Sequence, residues 1–508
     1  MWQTAVPLGV TPIVIAGGLT GNPFALCKNK GMEKTLDVAE AGLGFFGLRH
    51  RRYRAAFGLG LLFVSSLAGQ QSQFQGSVPT GAASSTPLAL TLGDALDRGL
   101  KANLGLLVSG SASESARGQR LRALSTLMPQ VSGQVSETVE QLNLKTIGFD
   151  FIIPGAAIPT IVGPFQYTDL RASASITVFD YNKWKNYRSS QESQRAAQLS
   201  YQDARDLVVQ AVANAYLQVT ADASRAEAIR AQVQTDQALY DRTVDQKKAG
   251  TSPGIDVLRS QVELKTQEQR LLAQENQLAK DKLSLGRVIG LPAGQDFNIA
   301  EAEPYSPLAS MTQEQALRTA LDQRPDYRSA KAQVRAAEET VRATRAERYP
   351  TAGVTGDYGD VGPTIGNSHG TFTFVAALKF NIFDGGRIGA DEIQAKAALK
   401  QRQDELADLG GQIDYQVRAA FLDIQSAADQ VAVAKVNLEL ANETLEQSRD
   451  RFTAGVTDNI EVVQAQQSVA GANDNLISAL FAHNLAKVAL ARALGAAEQG
   501  IRKFMEVK

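Results

Sequence analysis

The sequence predicts an α+β membrane protein built by internal duplication, each half supplying two β-strands and a long antiparallel helical hairpin. Three observations lead there: a strand with strict two-residue alternation, a second copy of that strand in the same chain, and helical patterns far longer than a compact core needs. The strand is Thr371 to Gly386, TFTFVAALKFNIFDGG. Its even positions are Phe372, Phe374, Ala376, Leu378, Phe380 and Ile382, and its odd positions are mixed. Strict alternation puts one set on each face. A strand of roughly 10 tilted residues crosses a bilayer core, and a Phe, Leu and Ile face suits lipid.

The twin lies 204 positions earlier, at Tyr167 to Asn182, YTDLRASASITVFDYN. Its even positions, Thr168, Leu170, Ala172, Ala174, Ile176 and Val178, keep the same parity, and Phe179-Asp180 stands where Phe383-Asp384 stands. A shift of 205 aligns Ala215-Tyr216-Leu217 with Ala420-Phe421-Leu422, Ala249-Gly250 with Ala454-Gly455, and Ile255-Asp256-Val257 with Ile460-Glu461-Val462. A shift of 221 puts Ala95-Leu96 on Ala316-Leu317 and Pro129 on Pro350. The halves run over 88–290 and 311–495, joined by a linker at 291–310 and followed by a tail at 496–508.

Composition is that of a folded protein, 44% hydrophobic and 21% charged with net charge −1. No basic patch with interleaved aromatics points to nucleic acid. Cys27 is the sole cysteine, so no internal disulfide forms. Aromatic residues bunch beside the strands, Phe165 to Tyr187 in one copy and Tyr349 to Phe383 in the other, as interfacial girdles or a small aromatic core would.

Residues 49–68 read as a secretory signal: Arg49, Arg51, Arg52 and Arg54, an apolar run over Ala55 to Val64, then Ser66-Leu67-Ala68 before the cut. The residues ahead of it make Met32 an alternative start. Leu26 before Cys27 is a poor match to a lipoprotein cleavage site. Gln70 to Pro87 is Ser, Gly, Gln and Pro rich, so 69–87 is expected to be a flexible linker.

Each copy then opens with a helical pattern, Leu92 to Leu127 and Met311 to Arg348, the second broken by Pro325. Pro129 and Pro350 start weaker strands. The first copy carries extra residues near Ile147 to Pro164, expected at a hairpin tip. The long helix of the second copy places Ile413, Ala420, Ala427, Ala434, Ala441 and Ser448 at seven-residue spacing, with Val417, Ile424, Val431, Leu438, Leu445 and Phe452 on the companion seam. That is a coiled-coil repeat. The first copy keeps it through Val208 and Val212. From Lys183 to Lys248 such a helix runs roughly 100 Å. It turns at Ala249–Gly254, the second copy at Ala454–Asn459, with Gly250 and Gly455 suited to a left-handed C-terminal residue. Gly410-Gly411 is expected to weaken the second long helix.

Four strands cannot close a barrel, and an open edge in lipid leaves unpaired N–H and C=O groups at several kcal/mol each. Transmembrane strands must therefore be pooled between chains, and three chains give 12.

The duplicated plan, FDGG at the strand's end, the paired glycine turns, and the openings ALDRGLKANL (95–104) and ALRTALDQRPD (316–326) resemble the TolC-like outer membrane efflux proteins. The resemblance covers about residues 88–495. It implies a trimer with a 12-stranded transmembrane β-barrel, four strands per chain, continued by an α-helical coiled-coil barrel through the periplasm of a Gram-negative-type bacterium. It implies outer membrane lipid around the barrel, a periplasmic adaptor protein and an inner-membrane pump as partners, no cofactor, and no enzymatic activity.

The resemblance carries residue roles to the turns. Adaptor docking falls on Ala249, Gly250, Thr251, Ala454, Gly455 and Val456, where the glycines match the family pattern and their neighbours do so roughly. A periplasmic aperture ring falls on Asp256 and Glu461, weakened by Gln464 where the family has a second acid. Acids at helix starts also offset the macrodipole, and both roles stay open. His50, His369 and His483 lack metal-ligand spacing, and no nucleophile elbow or phosphate loop stands out. The rival reading is a periplasmic coiled-coil scaffold without a barrel, which leaves the lipid-type strands unexplained.

Overall fold

The computed structural model describes residues 74–148, 159–300 and 311–505; the signal segment, Met32 and Cys27 lie outside these. The first copy comprises β1 (Leu88–Leu90), α1 (Leu92–Ala102), α2 (Leu104–Ser125), β2 (Gln130–Asn143), β3 (Ile161–Phe179), α3 (Tyr181–Lys248) and α4 (Gly254–Ile289). The second comprises β4 (Phe297–Ile299), α5 (Gln313–Gln323), α6 (Pro325–Ala346), β5 (Thr351–Gly362), β6 (His369–Lys379), α7 (Arg387–Thr453) and α8 (Asn459–Ala493), followed by α9 (Ala497–Phe504).

Strands β2, β3, β5 and β6 form one antiparallel sheet in that order. The helices leaving them pack in the same order, α2 on α3, α3 on α6 and α6 on α7. The shared Phe-Asp motif has a local cause. Asp180 caps α3 by accepting from the Lys183 amide at 2.9 Å, and Asp384 accepts from the amides of Gly386 and Ile388 at 3.0 and 2.9 Å. Each long helix thus starts where a carboxylate in the connection after the strand satisfies its free N–H groups.

Helices α3 and α7 span 68 and 67 residues, roughly 100 Å each. The seam expected on α7 is buried from Ile413 to Ser448 apart from the half-buried Leu438, and α8 packs back along it. Val208, Val212 and Val219 are buried on α3. The seam's charged member, Asp222, is buried but held by Arg225 at 3.2 Å and the amides of Gln218 and Gln274 at 2.9 and 3.1 Å. The two cores repeat one design. Ala95 packs into a cluster with Val208 and Val212, and Ala316 into another with the duplicates Ile413 and Val417.

Four expectations change. The strand read over Thr371 to Ile382 ends at Lys379, so Phe380 and Ile382 lie in the connection to α7. Its hydrophobic alternation outlasted its hydrogen bonds. The single opening helix of the first copy breaks at Asn103, whose side chain accepts from Gly105 and donates to the Phe74 carbonyl at 2.6 Å. Residues 74–87, read as linker, are tied to the body through Val78 N–H to Ala102 O and Thr80 N–H to Gly290 O. The linker and tail between and after the copies supply β4, which pairs parallel with β1, and α9, whose Ala497 and Ile501 are fully buried.

Candidate functional site

Two regions carry the site residues. In the sheet, side chains on directly opposed positions share a face. One face combines Val131 and Val135 of β2, Leu170, Ala172, Ala174 and Ile176 of β3, Val354 and Tyr358 of β5, and Phe372, Phe374, Ala376 and Leu378 of β6. All but the half-buried Val354 stand exposed in the single chain, Phe372 by 78%, Phe374 by 70% and Leu378 by 62%. Val178 is the extra residue of a bulge; beyond it Phe179, opposite Ala352, takes over the apolar parity. Glu137 and Asp360 sit at the far end of this band.

The opposite face is polar. Ser132, Gln134 and Ser136 lie beside Ser173, Arg171 and Asp169, and Ser175 and Ser173 lie beside Thr355 and Asp357. Arg171 bonds Asp169 at 3.2 Å, the Asp357 carboxylate, and Thr371 at 3.5 Å. Sequence reading missed this cluster because its members come from three strands whose pairing only the fold supplies. The outer strands β2 and β6 each have one partner among the described residues, leaving two open edges.

The second region is the pair of turns. Thr251 N–H reaches Gln246 O at 2.9 Å and Gly250 N–H reaches Lys247 O at 3.0 Å; 205 positions on, Val456 reaches Arg451 at 3.0 Å and Gly455 reaches Phe452 at 3.1 Å. This crossed pair of bonds is a Schellman cap, which requires the φ of +75° at Gly250 and +72° at Gly455. Ala249, Gly250, Thr251, Ala454, Gly455 and Val456 are all exposed.

Just past each turn a hydroxyl meets the acid four residues on. Ser252 donates to Asp256 at 2.9 Å, and Thr457 donates to Glu461. The rest of the two environments differs. Asp256 is only 5% exposed and has Arg259 at 3.4 Å. The Glu461 side chain is 36% exposed and faces Arg451 at 3.5 Å. Gln464 is exposed, and its duplicate is Arg259. Ile255, Leu258, Val262, Ile460 and Val463 line an apolar groove between the starts of α4 and α8.

This geometry is shared with known proteins. The family description "Outer membrane efflux protein" matches residues 100–291 and 316–496, and the chain belongs to that family. It is 26% identical over 334 residues to the pyoverdine export outer membrane protein OpmQ of Pseudomonas aeruginosa, covering 63% of this chain and 68% of that one. It is 22% identical over 326 residues to the cation efflux system protein CusC of Escherichia coli, covering 61% and 67%. The fold matches the solved structure of CusC at TM-score 0.68 with 19% identity over 83% of this chain and 96% of that one. It matches VceC of Vibrio cholerae at 0.67 with 17% identity over 80% and 96%. The protein is an outer membrane efflux protein of a Gram-negative bacterium.

Proposed function

We propose that three copies of the chain pool their sheets into a 12-stranded barrel in the outer membrane, with α2, α3, α6 and α7 of each copy continuing it as a helical tunnel into the periplasm. The assembly is the exit duct of a tripartite efflux or type I secretion system. It passively conducts substrate handed over by an inner-membrane pump through a periplasmic adaptor. One observation carries this reading: a four-stranded sheet, apolar on one face and polar on the other, with both edges unpaired. In lipid, the open edges at β2 and β6 are tolerable only when further copies pair them. The apolar face then meets acyl chains, and the Arg171–Asp169–Asp357 cluster faces the lumen.

The turns are the adaptor docking sites in this reading, and Asp256, Glu461 and Gln464 surround the periplasmic aperture. Relatives named for pyoverdine and for cations share the framework, so cargo is set by the pump rather than by this plan. The test is the mass of detergent-solubilised protein together with planar-bilayer recording. Three chains per particle and discrete conductance steps are expected; a membrane-inserted monomer without conductance overturns the reading.

A further inference from the structure

Just past the end of β3, α3 carries an exposed patch of aromatic and cationic side chains. The rings of Tyr181 and Trp184 stack with centroids 5.5 Å apart, and Tyr349 meets Tyr181 edge-on at 5.8 Å. Lys185 Nζ lies 4.8 Å from the Trp184 ring centroid and the Arg188 guanidinium 5.2 Å from it. The two cations are used differently. Lys185 is buried and bonded to Glu339 at 2.8 Å. Arg188 is exposed, as is Trp184, and it has no carboxylate partner among the described residues.

Position gives this free charge a meaning. At 1.5 Å per residue, Trp184 and Arg188 lie roughly 8 and 14 Å past Phe179 along the helix. Helical side chains lean toward the N-terminus, which for α3 is the strand end, so Arg188 reaches back over the indole toward the barrel. The headgroup layer on each side of a bilayer is roughly 5–8 Å thick. Phe179 and Val178, both exposed, end the apolar strand that leads into the patch.

We propose that Trp184 and Arg188, braced by Tyr181 and Lys185, bind the phosphodiester of an anionic phospholipid in the leaflet nearest the helical tunnel. A guanidinium held over an indole still has N–H groups to offer phosphate oxygens, and its planar fork suits them. Continuity with the apolar band favours a lipid phosphate over a soluble one, since the acyl chains of the same molecule gain contacts. The proposal rests on the membrane-embedded sheet described above.

The sequence has two tryptophans, Trp2 and Trp184, so a Trp2→Phe protein reports on the patch alone. The full chain is reconstituted in phosphatidylcholine nanodiscs containing lipids brominated near the glycerol or near the methyl end. Shallow bromines should quench Trp184 more strongly than deep ones. Brominated phosphatidylglycerol should be preferred about fivefold over phosphatidylcholine, the scale of one basic residue at a lipid surface. Arg188→Gln should remove that preference and keep the shallow quenching. An unchanged preference in Arg188→Gln overturns the headgroup assignment. A second probe, Leu378→Trp in a Trp2→Phe, Trp184→Phe background, separates the two readings. If deep bromines quench position 378 while Trp184 is untouched by either label, the lipid site is refuted and the barrel stands. If neither position is quenched, both fall.

Discussion

Asn459, fully buried at the start of the second return helix, donates its side-chain amide to the backbone carbonyl of Asp256 in the first, at 3.4 Å. The contact ties the two hairpins together close to their tips. Ser260 Oγ also donates to that carbonyl, at 3.0 Å, so removing Asn459 costs one hydrogen bond rather than an orphaned acceptor, about 0.5–1.5 kcal/mol. Asn459→Ala should therefore speed amide exchange around both turns and leave the barrel's heat resistance unchanged.

Asp256 and Glu461, the acids proposed for the aperture, should not respond alike. Asp256 is enclosed by Ser252 and Arg259, whereas Glu461 is more open to solvent. Both neutralisations should reduce cation selectivity at low salt in planar bilayers, Glu461→Ala by more than Asp256→Ala. The difference should shrink as the Debye length falls from about 30 Å at 0.01 M to about 10 Å at 0.1 M. Equal effects would mean that the assembled tunnel re-exposes Asp256.

At the turns, a Cβ on Gly250 or Gly455 meets nothing within 4 Å, so only the left-handed backbone resists substitution. Gly250→Ala or Gly455→Ala should cost about 1–2 kcal/mol locally. Gly250→Trp or Gly455→Trp should abolish transport in cells while trimer level and barrel insertion remain normal, because the proposed assembly puts the tips far from the membrane. Export assays run beside heat-modified gel mobility separate the two effects.

Asp236 is buried on α3, and burial lifts its carboxyl from 3.8 to about 6; Glu263 adds like charge, against the Gln232 amide and Arg449. The folded chain thus holds this proton to higher pH than the unfolded chain does. Stability contributed here is full below about pH 4, falls as pH rises toward 6, and is flat above, a change of at most about 3 kcal/mol. Asp236→Asn should remove that pH step and raise the melting temperature at pH 7. Thermal unfolding followed by circular dichroism at pH 5 and pH 7 measures it.

Much of this fold was legible because its signals are periodic. The two-residue alternation placed Leu170 to Ile176 and Phe372 to Leu378 on one face, and the seven-residue repeat marked Ile413 to Ser448. Periodicity says little about where an element stops, so Phe380 and Ile382 were carried past the end of β6. Strand β5 was faint because Gly353, Gly356, Gly359 and Gly362 give it few side chains to alternate. The break at Asn103 had a signal that went unused: the 221-residue shift maps it onto Arg324, beside the Pro325 that marks the equivalent break. At the tips, the pairings of Asp256 and Glu461 depend on Ser252, Thr457, Arg259 and Arg451 folding back across a turn, which linear spacing does not convey.

On the polar face of the sheet, Arg171 is, among the described residues, the cation bonded to both Asp169 and Asp357. Arg171→Gln should leave two uncompensated carboxylates per chain and raise the cation preference of the pore, with little loss of assembly. Reversal potentials in a salt gradient read the change, and a shift toward anions would place this face elsewhere.

The two-faced sheet is the claim on which the rest depends, and cysteine scanning of β6 tests it most directly. In a Cys27→Ser background, single cysteines from Thr371 to Leu378 are labelled in intact outer membranes with a small, membrane-impermeant thiol reagent. Thr371, Thr373, Val375 and Ala377 should label from the aqueous lumen, and Phe372, Phe374, Ala376 and Leu378 should be protected. Leu378→Arg, at about 2–4 kcal/mol near the midplane, should in addition lower barrel insertion where Thr373→Arg does not. Uniform labelling along the strand, or protection of the odd positions, would contradict a barrel with lipid on the Phe372 face.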